Sequence, residues 1–157
     1  MGESLFRWMS DSPLAAWVSS SAVIWPTLET IHFVSLCVLM GSLLVIDLRL
    51  IGFYRERCAS TVAILARLAL LAFAVNLATG VLFLFGNTFK YVGNPAFEIK
   101  LLLIVAAGIN AGLYQWRLRH LVDTEKVTWS SIAVGWISLT LWAGVIICGR
   151  MITFYAR

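Results

Sequence analysis

The chain has 157 residues, of which 61% are hydrophobic and 13% charged, against about 25% charged in an ordinary soluble domain. A chain of this size makes about one domain and cannot bury that much apolar surface within itself, so lipid rather than water is its expected solvent. The formal net charge of +4 is scattered at the ends of apolar runs, which excludes a nucleic-acid surface.

Residues 3–20 come first and read as an interfacial amphipathic segment: Leu5, Phe6, Trp8, Met9, Leu14 and Trp17 alternate with polar residues. Ser12-Pro13 interrupts it and suits a helix start, with Ser12 as N-cap and Pro13 at the first helical position. One or two short helices on the membrane surface are expected. Glu3, Arg7 and Asp11 are mixed among the apolar residues. This lacks the basic, then apolar, then small-residue order of a signal peptide, so the segment is expected to remain on the protein.

Four runs follow, each near the about 20 residues that cross roughly 30 Å of hydrocarbon. The predicted spans are 26–48, 60–85, 95–120 and 130–154. Pro26 opens the first, with Glu29 in its first turn and Trp25 at the membrane boundary. Gly86-Asn87-Thr88 and Asn94-Pro95 bracket a short loop after the second. Short connections predict an antiparallel four-helix bundle, all-α, forming a single membrane domain over 1–157. Arg49, Arg55, Arg57, Arg117, Arg119 and Lys126 fall on one side; Arg7, Lys90, Lys100, Arg150 and Arg157 fall on the other. The positive-inside rule puts both termini outside, periplasmic for a bacterial inner membrane.

Polar residues within the spans are the candidate functional groups, because lipid penalises them. Glu29 and His32 share a helical face, with His32 about 9 Å beyond the helix start. Glu29 would orient the imidazole toward a metal or haem, or relay a proton, or both residues would pair with neighbouring helices. Asn76, which shares a face with Gly80, and Asn110 either clasp helices or line a pocket. Lys100 either pairs with Glu29 and faces an anionic ligand, or snorkels to the headgroups. The site set is therefore His32, Glu29, Lys100, Asn76 and Asn110, with His32 as the metal ligand. His120, the second histidine, falls at the far end of the third span, so one chain does not bring two imidazoles to one iron.

The three cysteines, Cys37, Cys58 and Cys148, form no CxxC or zinc pattern, and an odd count argues against a complete disulfide framework. No Walker loop, HExxH, GxSxG or dinucleotide fingerprint is present.

The run Trp25-Pro26-Thr27-Leu28-Glu29-Thr30-Ile31-His32, Gly41, Asp47 to Gly52, and then Tyr91, Asn94-Pro95, Phe97, Lys100 and Asn110 resembles a family of small, uncharacterised four-helix bacterial inner-membrane proteins. The resemblance spans roughly residues 22–155 and implies membrane localisation and the four-helix plan, but no reaction. A fainter likeness is to membrane protoporphyrinogen oxidase and to copper-resistance membrane domains. It implies His32 as the haem-side or metal-side residue and Lys100 as the basic group of the pocket. The chain departs from both: helix three offers no second histidine near Asn110, and the histidine and methionine richness of a copper site is missing.

The leading expectation is a small-ligand or cofactor-binding membrane protein, with b-type haem-linked redox chemistry as its most specific form. The alternatives are a non-catalytic accessory or scaffold subunit and, third, a small transporter. Expected partners are the lipid bilayer and a second copy or a larger membrane complex. A binding site predicts convergence of Glu29, His32, Asn76, Lys100 and Asn110 around a cavity; a scaffold predicts that they satisfy one another.

Overall fold

The computed structural model describes residues 2–53, 59–114 and 127–155, and among them every regular element is a helix. In chain order these are α1 (Gly2–Ser10), α2 (Pro13–Ser20), α3 (Ile24–Ile51), α4 (Ala59–Gly86), α5 (Thr88–Tyr91), α6 (Pro95–Leu113) and α7 (Trp129–Tyr155). Helices α3, α4, α6 and α7 are each long and apolar enough to cross a bilayer. The chain is a multi-pass membrane protein with an all-α four-helix bundle.

Element ends follow local chemistry. The Ser12 side chain caps α2, accepting from Ala15 N–H at 3.1 Å. Asn94 caps α6, accepting from Ala96 N–H at 3.0 Å ahead of Pro95. Helix α3 begins at Ile24, two residues before the expected Pro26, because a proline in the first turn removes only an N–H that has no helical partner. It ends at Gly52, whose φ of 113° directs its N–H back to the Leu48 and Arg49 carbonyls, a conformation that favours glycine. The predicted third span, 95–120, is helical to Leu113, and its residues 115–120 lie outside the described residues.

Packing follows alternating three- and four-residue steps, the spacing of a near-antiparallel helix seam. On α3 the seam includes Leu28, His32, Ser35, Leu39, Ser42 and Ile46; on α4 it includes Ala69, Ala72, Asn76, Thr79, Phe83 and Gly86. His32 meets Thr79, Ser35 meets Asn76, and Leu39 packs with Ala69 and Ala72. Helix α7 buries Ser131, Gly135, Ser138, Val145 and Ile152 at the same spacing. Gly135 permits its closest approach: a Cβ there would lie 2.9 Å from the Asp47 carbonyl oxygen and 2.9 Å from Ile51 Cγ1.

The order across the bundle is α4, α3, α7, α6. Helix α6 packs along α7 and, among the described residues, makes no extended contact with α4, its predecessor in the chain. Among the described residues the bundle is left open on the side between α4 and α6. The α1–α2 layer covers the N-terminal end of α3 and the C-terminal end of α4. Val18 is fully buried, seated where a Gly86 Cβ would come within 2.6 Å of it, and the Trp8 and Phe85 rings meet edge-on at 6.4 Å.

Candidate functional site

His32 is half-buried on the α3 seam, and its orientation is fixed from α4. Its Nδ1 lies 2.6 Å from Thr79 Oγ1, and that hydroxyl donates to the Val75 carbonyl at 2.8 Å. A hydroxyl has one hydrogen and two acceptor lone pairs. With its hydrogen directed at a carbonyl one turn back, the Thr79 hydroxyl is placed to accept from His32 Nδ1–H, which would leave Nε2 bare in the neutral ring. Among the described residues no hydrogen bond reaches Nε2. Phe83 closes one side of the ring at 5.4 Å, and Trp25 stacks behind Phe83 at 5.2 Å.

A Cβ built on Gly80, the residue after Thr79, meets no atom within 4 Å. Gly80 is on the face of α4 that carries Phe73 two turns earlier, and Phe73 meets Trp142 of α7 edge-on at 6.3 Å. This opening at Gly80 is therefore on the α7 side of α4. Lys100 enters from α6. Its Nζ lies 3.5 Å from the position of a Gly149 Cβ, so the missing side chain of Gly149 makes room for the ammonium. The Lys100 side chain therefore lies against α7.

The other expected members are elsewhere. Glu29 is exposed and accepts from the Trp25 indole N–H at 2.9 Å. It neither orients His32, a role taken by Thr79, nor pairs with Lys100 among the described residues. Its carboxylate acts on Tyr91 in α5, where burial first and then this negative charge push the phenol pKa above its ordinary value. Asn76 is committed to the helix contact: its amide N–H groups donate to Ser35 Oγ at 2.8 Å and to the Ala72 carbonyl at 3.0 Å. Its Oδ1 is buried without a partner. Asn110 lies roughly 15 Å along α6 from Lys100 and donates to the Val134 carbonyl at 3.2 Å. It belongs to the α6–α7 seam, not to the opening. His120 lies outside the described residues.

Three polar residues were missed by sequence reasoning. Thr79 was legible as the residue after Asn76 on the same face. Asp47 is 3% exposed, faces Ser138 of α7, and leaves Oδ2 with no hydrogen-bond partner; nothing in the run Ile46-Asp47-Leu48-Arg49 distinguishes it from a boundary residue. Arg67 is exposed within α4 and was visible as the one charge in an otherwise apolar run.

Taken together, a half-buried imidazole held by Thr79 on the α3–α4 seam and an ammonium beside Gly149 on the α6–α7 pair both lie toward the end of the bundle that carries α1 and α2. Such a pair accepts a proton or a metal at one end and an anionic group at the other. Among the described residues no group of three or more histidine, cysteine or acidic side chains stands ready for a bare metal ion. No family model matches the chain, and no curated protein or solved structure matches it either.

Proposed function

We propose that this chain is a small-ligand or cofactor-binding protein of the bacterial inner membrane, with both termini on the periplasmic side, and that haem b is the group its site suits best. The observation that carries the reading is the His32–Thr79 hydrogen bond at 2.6 Å, which with Nδ1 as donor would leave Nε2 free to ligate. An imidazole whose other nitrogen is held by a hydrogen bond is the usual form of a metal-ligating histidine. Lys100, near the same end of the bundle, would suit a carboxylate edge of the ligand. The donor set would fit one imidazole ligand, His32. It supplies no second one among the described residues, so a redox role would use a single protein ligand or one from a partner. The group would supply one-electron chemistry; the chain would orient it and exclude water.

The test is an ultraviolet–visible spectrum of the protein purified in mild detergent after haem-supplemented expression, oxidised and then reduced. A Soret band that shifts on reduction and is lost in His32→Ala supports the proposal. A featureless spectrum from folded protein overturns haem.

A second reading, the scaffold subunit, is favoured by a specific observation. Asn76, Asn94 and Asn110 all donate to the backbone or side chains of packed helices, the ordinary structural use of amides in membrane bundles.

A further inference from the structure

On the flank of the α3–α4 pair turned away from α7, a groove of about 440 Å³ runs between the two helices. Ile31, Val34 and Val38 form one wall; Leu68, Leu71 and Val75 form the other. Its polar side chains present no free group. Thr30 donates to the Pro26 carbonyl at 2.8 Å, and Ser35 to the His32 carbonyl at 3.0 Å. The groove is about 10 Å long by helical rise from Leu68 to Val75 and opens directly onto the hydrocarbon.

Arg67 marks its inner end. This residue is exposed, lies beside Leu68 in sequence and stacks one turn below Leu71, a groove wall. It sits roughly 12 Å along α4 from Ala59. Helix α4 has 28 residues and is roughly 42 Å long, so its ends project beyond about 30 Å of hydrocarbon. Arg67 is then about 6 Å below the boundary, within reach of the headgroups by its own side chain. Among the described residues no carboxylate lies opposite it. Glu29 and Glu98 belong to the first turns of α3 and α6, at the other membrane surface, and Asp47 is buried against α7. A second copy docked by the same spans would bring no described anion to this depth. A guanidinium in lipid needs one, and a phosphate supplies it with bidentate geometry.

We propose that the α3–α4 groove is a binding site for an anionic phospholipid, with one acyl chain between Val34 and Leu71 and the phosphate on Arg67. The site is independent of the Gly80 opening, which lies on the other flank of the same seam.

The test is native mass spectrometry of the full chain released from micelles containing equal phosphatidylglycerol and phosphatidylcholine. Wild type retains phosphatidylglycerol in preference by about fivefold, the factor expected of one cation at an anionic surface. Arg67→Gln brings the preference to near unity while total retained lipid stays; Arg67→Lys keeps most of it. Val34→Trp, at a lipid-exposed position that fills the groove, loses both lipids. Three results overturn the proposal: an unchanged preference in Arg67→Gln, undiminished lipid in Val34→Trp, or a wild-type dimer that Val34→Trp converts to monomer.

Discussion

The α3–α4 and α6–α7 pairs are both antiparallel seams of alternating three- and four-residue steps, yet they use their polar residues differently. Across α3–α4, side chain meets side chain: His32 with Thr79 and Ser35 with Asn76. Across α6–α7, amides meet backbone: Asn94 donates to the Ile152 carbonyl at 3.1 Å and Asn110 to the Val134 carbonyl at 3.2 Å. Backbone carbonyls exist at every position, so α6–α7 depends on the amides alone. The α3–α4 seam depends on two matched residues per rung. Removing one partner there leaves another polar group in lipid. What remains without a described hydrogen bond is also unequal: the second nitrogen of His32 in the first pair and the ammonium of Lys100 in the second. In a membrane bundle, polar residues serve helix contact by default. Atoms left over after that use are the better guide to function.

The largest expected effect tests the steric basis of the bundle shared by both pairs. Gly135→Ala sets a Cβ against the Asp47 carbonyl and Ile51, and a backbone oxygen cannot move aside as a side-chain tip can. Overpacking of this kind costs about 1–3 kcal/mol. The thermal unfolding midpoint in detergent should fall clearly, whereas Gly80→Ala, which meets open space, should leave it unchanged or raise it.

A double-mutant cycle sharpens the contrast between the pairs. Ser35→Ala and Asn76→Ala should couple by about 0.6–1.7 kcal/mol, the range measured for hydrogen bonds between membrane helices. Asn110→Ala combined with Val134→Ala should show almost no coupling, because the acceptor is backbone and survives the second change. Equal coupling in the two cycles would erase the distinction.

Thr79→Val probes the tautomer with little change in packing volume. In wild type, the nitrogen chemical shifts of labelled His32 should report a protonated Nδ1 and a bare Nε2. In Thr79→Val the ring loses its only described partner, and a mixture of tautomers is expected. A wild-type ring protonated on Nε2 would remove the basis of the ligand proposal.

The smallest effect concerns Tyr91, outside the spans. Its phenol is held above the ordinary value of 10.0 by burial and by Glu29. The folded state therefore retains this proton more tightly than the unfolded one, and the stabilisation is whole below pH about 10 and declines as pH rises through the folded pKa. Tyr91→Phe should flatten that alkaline decline in a stability profile, and Glu29→Gln should reduce it only in part.

The sequence by itself determined the solvent and the elements. Apolar runs matched to bilayer thickness specify spanning helices because lipid leaves no other way to satisfy the backbone, and Ser12, Asn94 and Gly52 mark ends through local bonds. His32 and Lys100 were legible as candidates since any imidazole or ammonium in a span is costly. Partnership was decided only by the tertiary structure. Glu29, one turn from His32 on its own helix, bonds Trp25, while Thr79, 47 residues away in sequence, holds the ring. Asn110 resembles Asn76 in type and setting, yet lies at the other end of a different seam. A helical period states which residues share a face but not which helix that face meets. The order α4, α3, α7, α6 depends on side-chain volumes at Gly135, Gly149 and their neighbours, which become meaningful only when the facing helix is present.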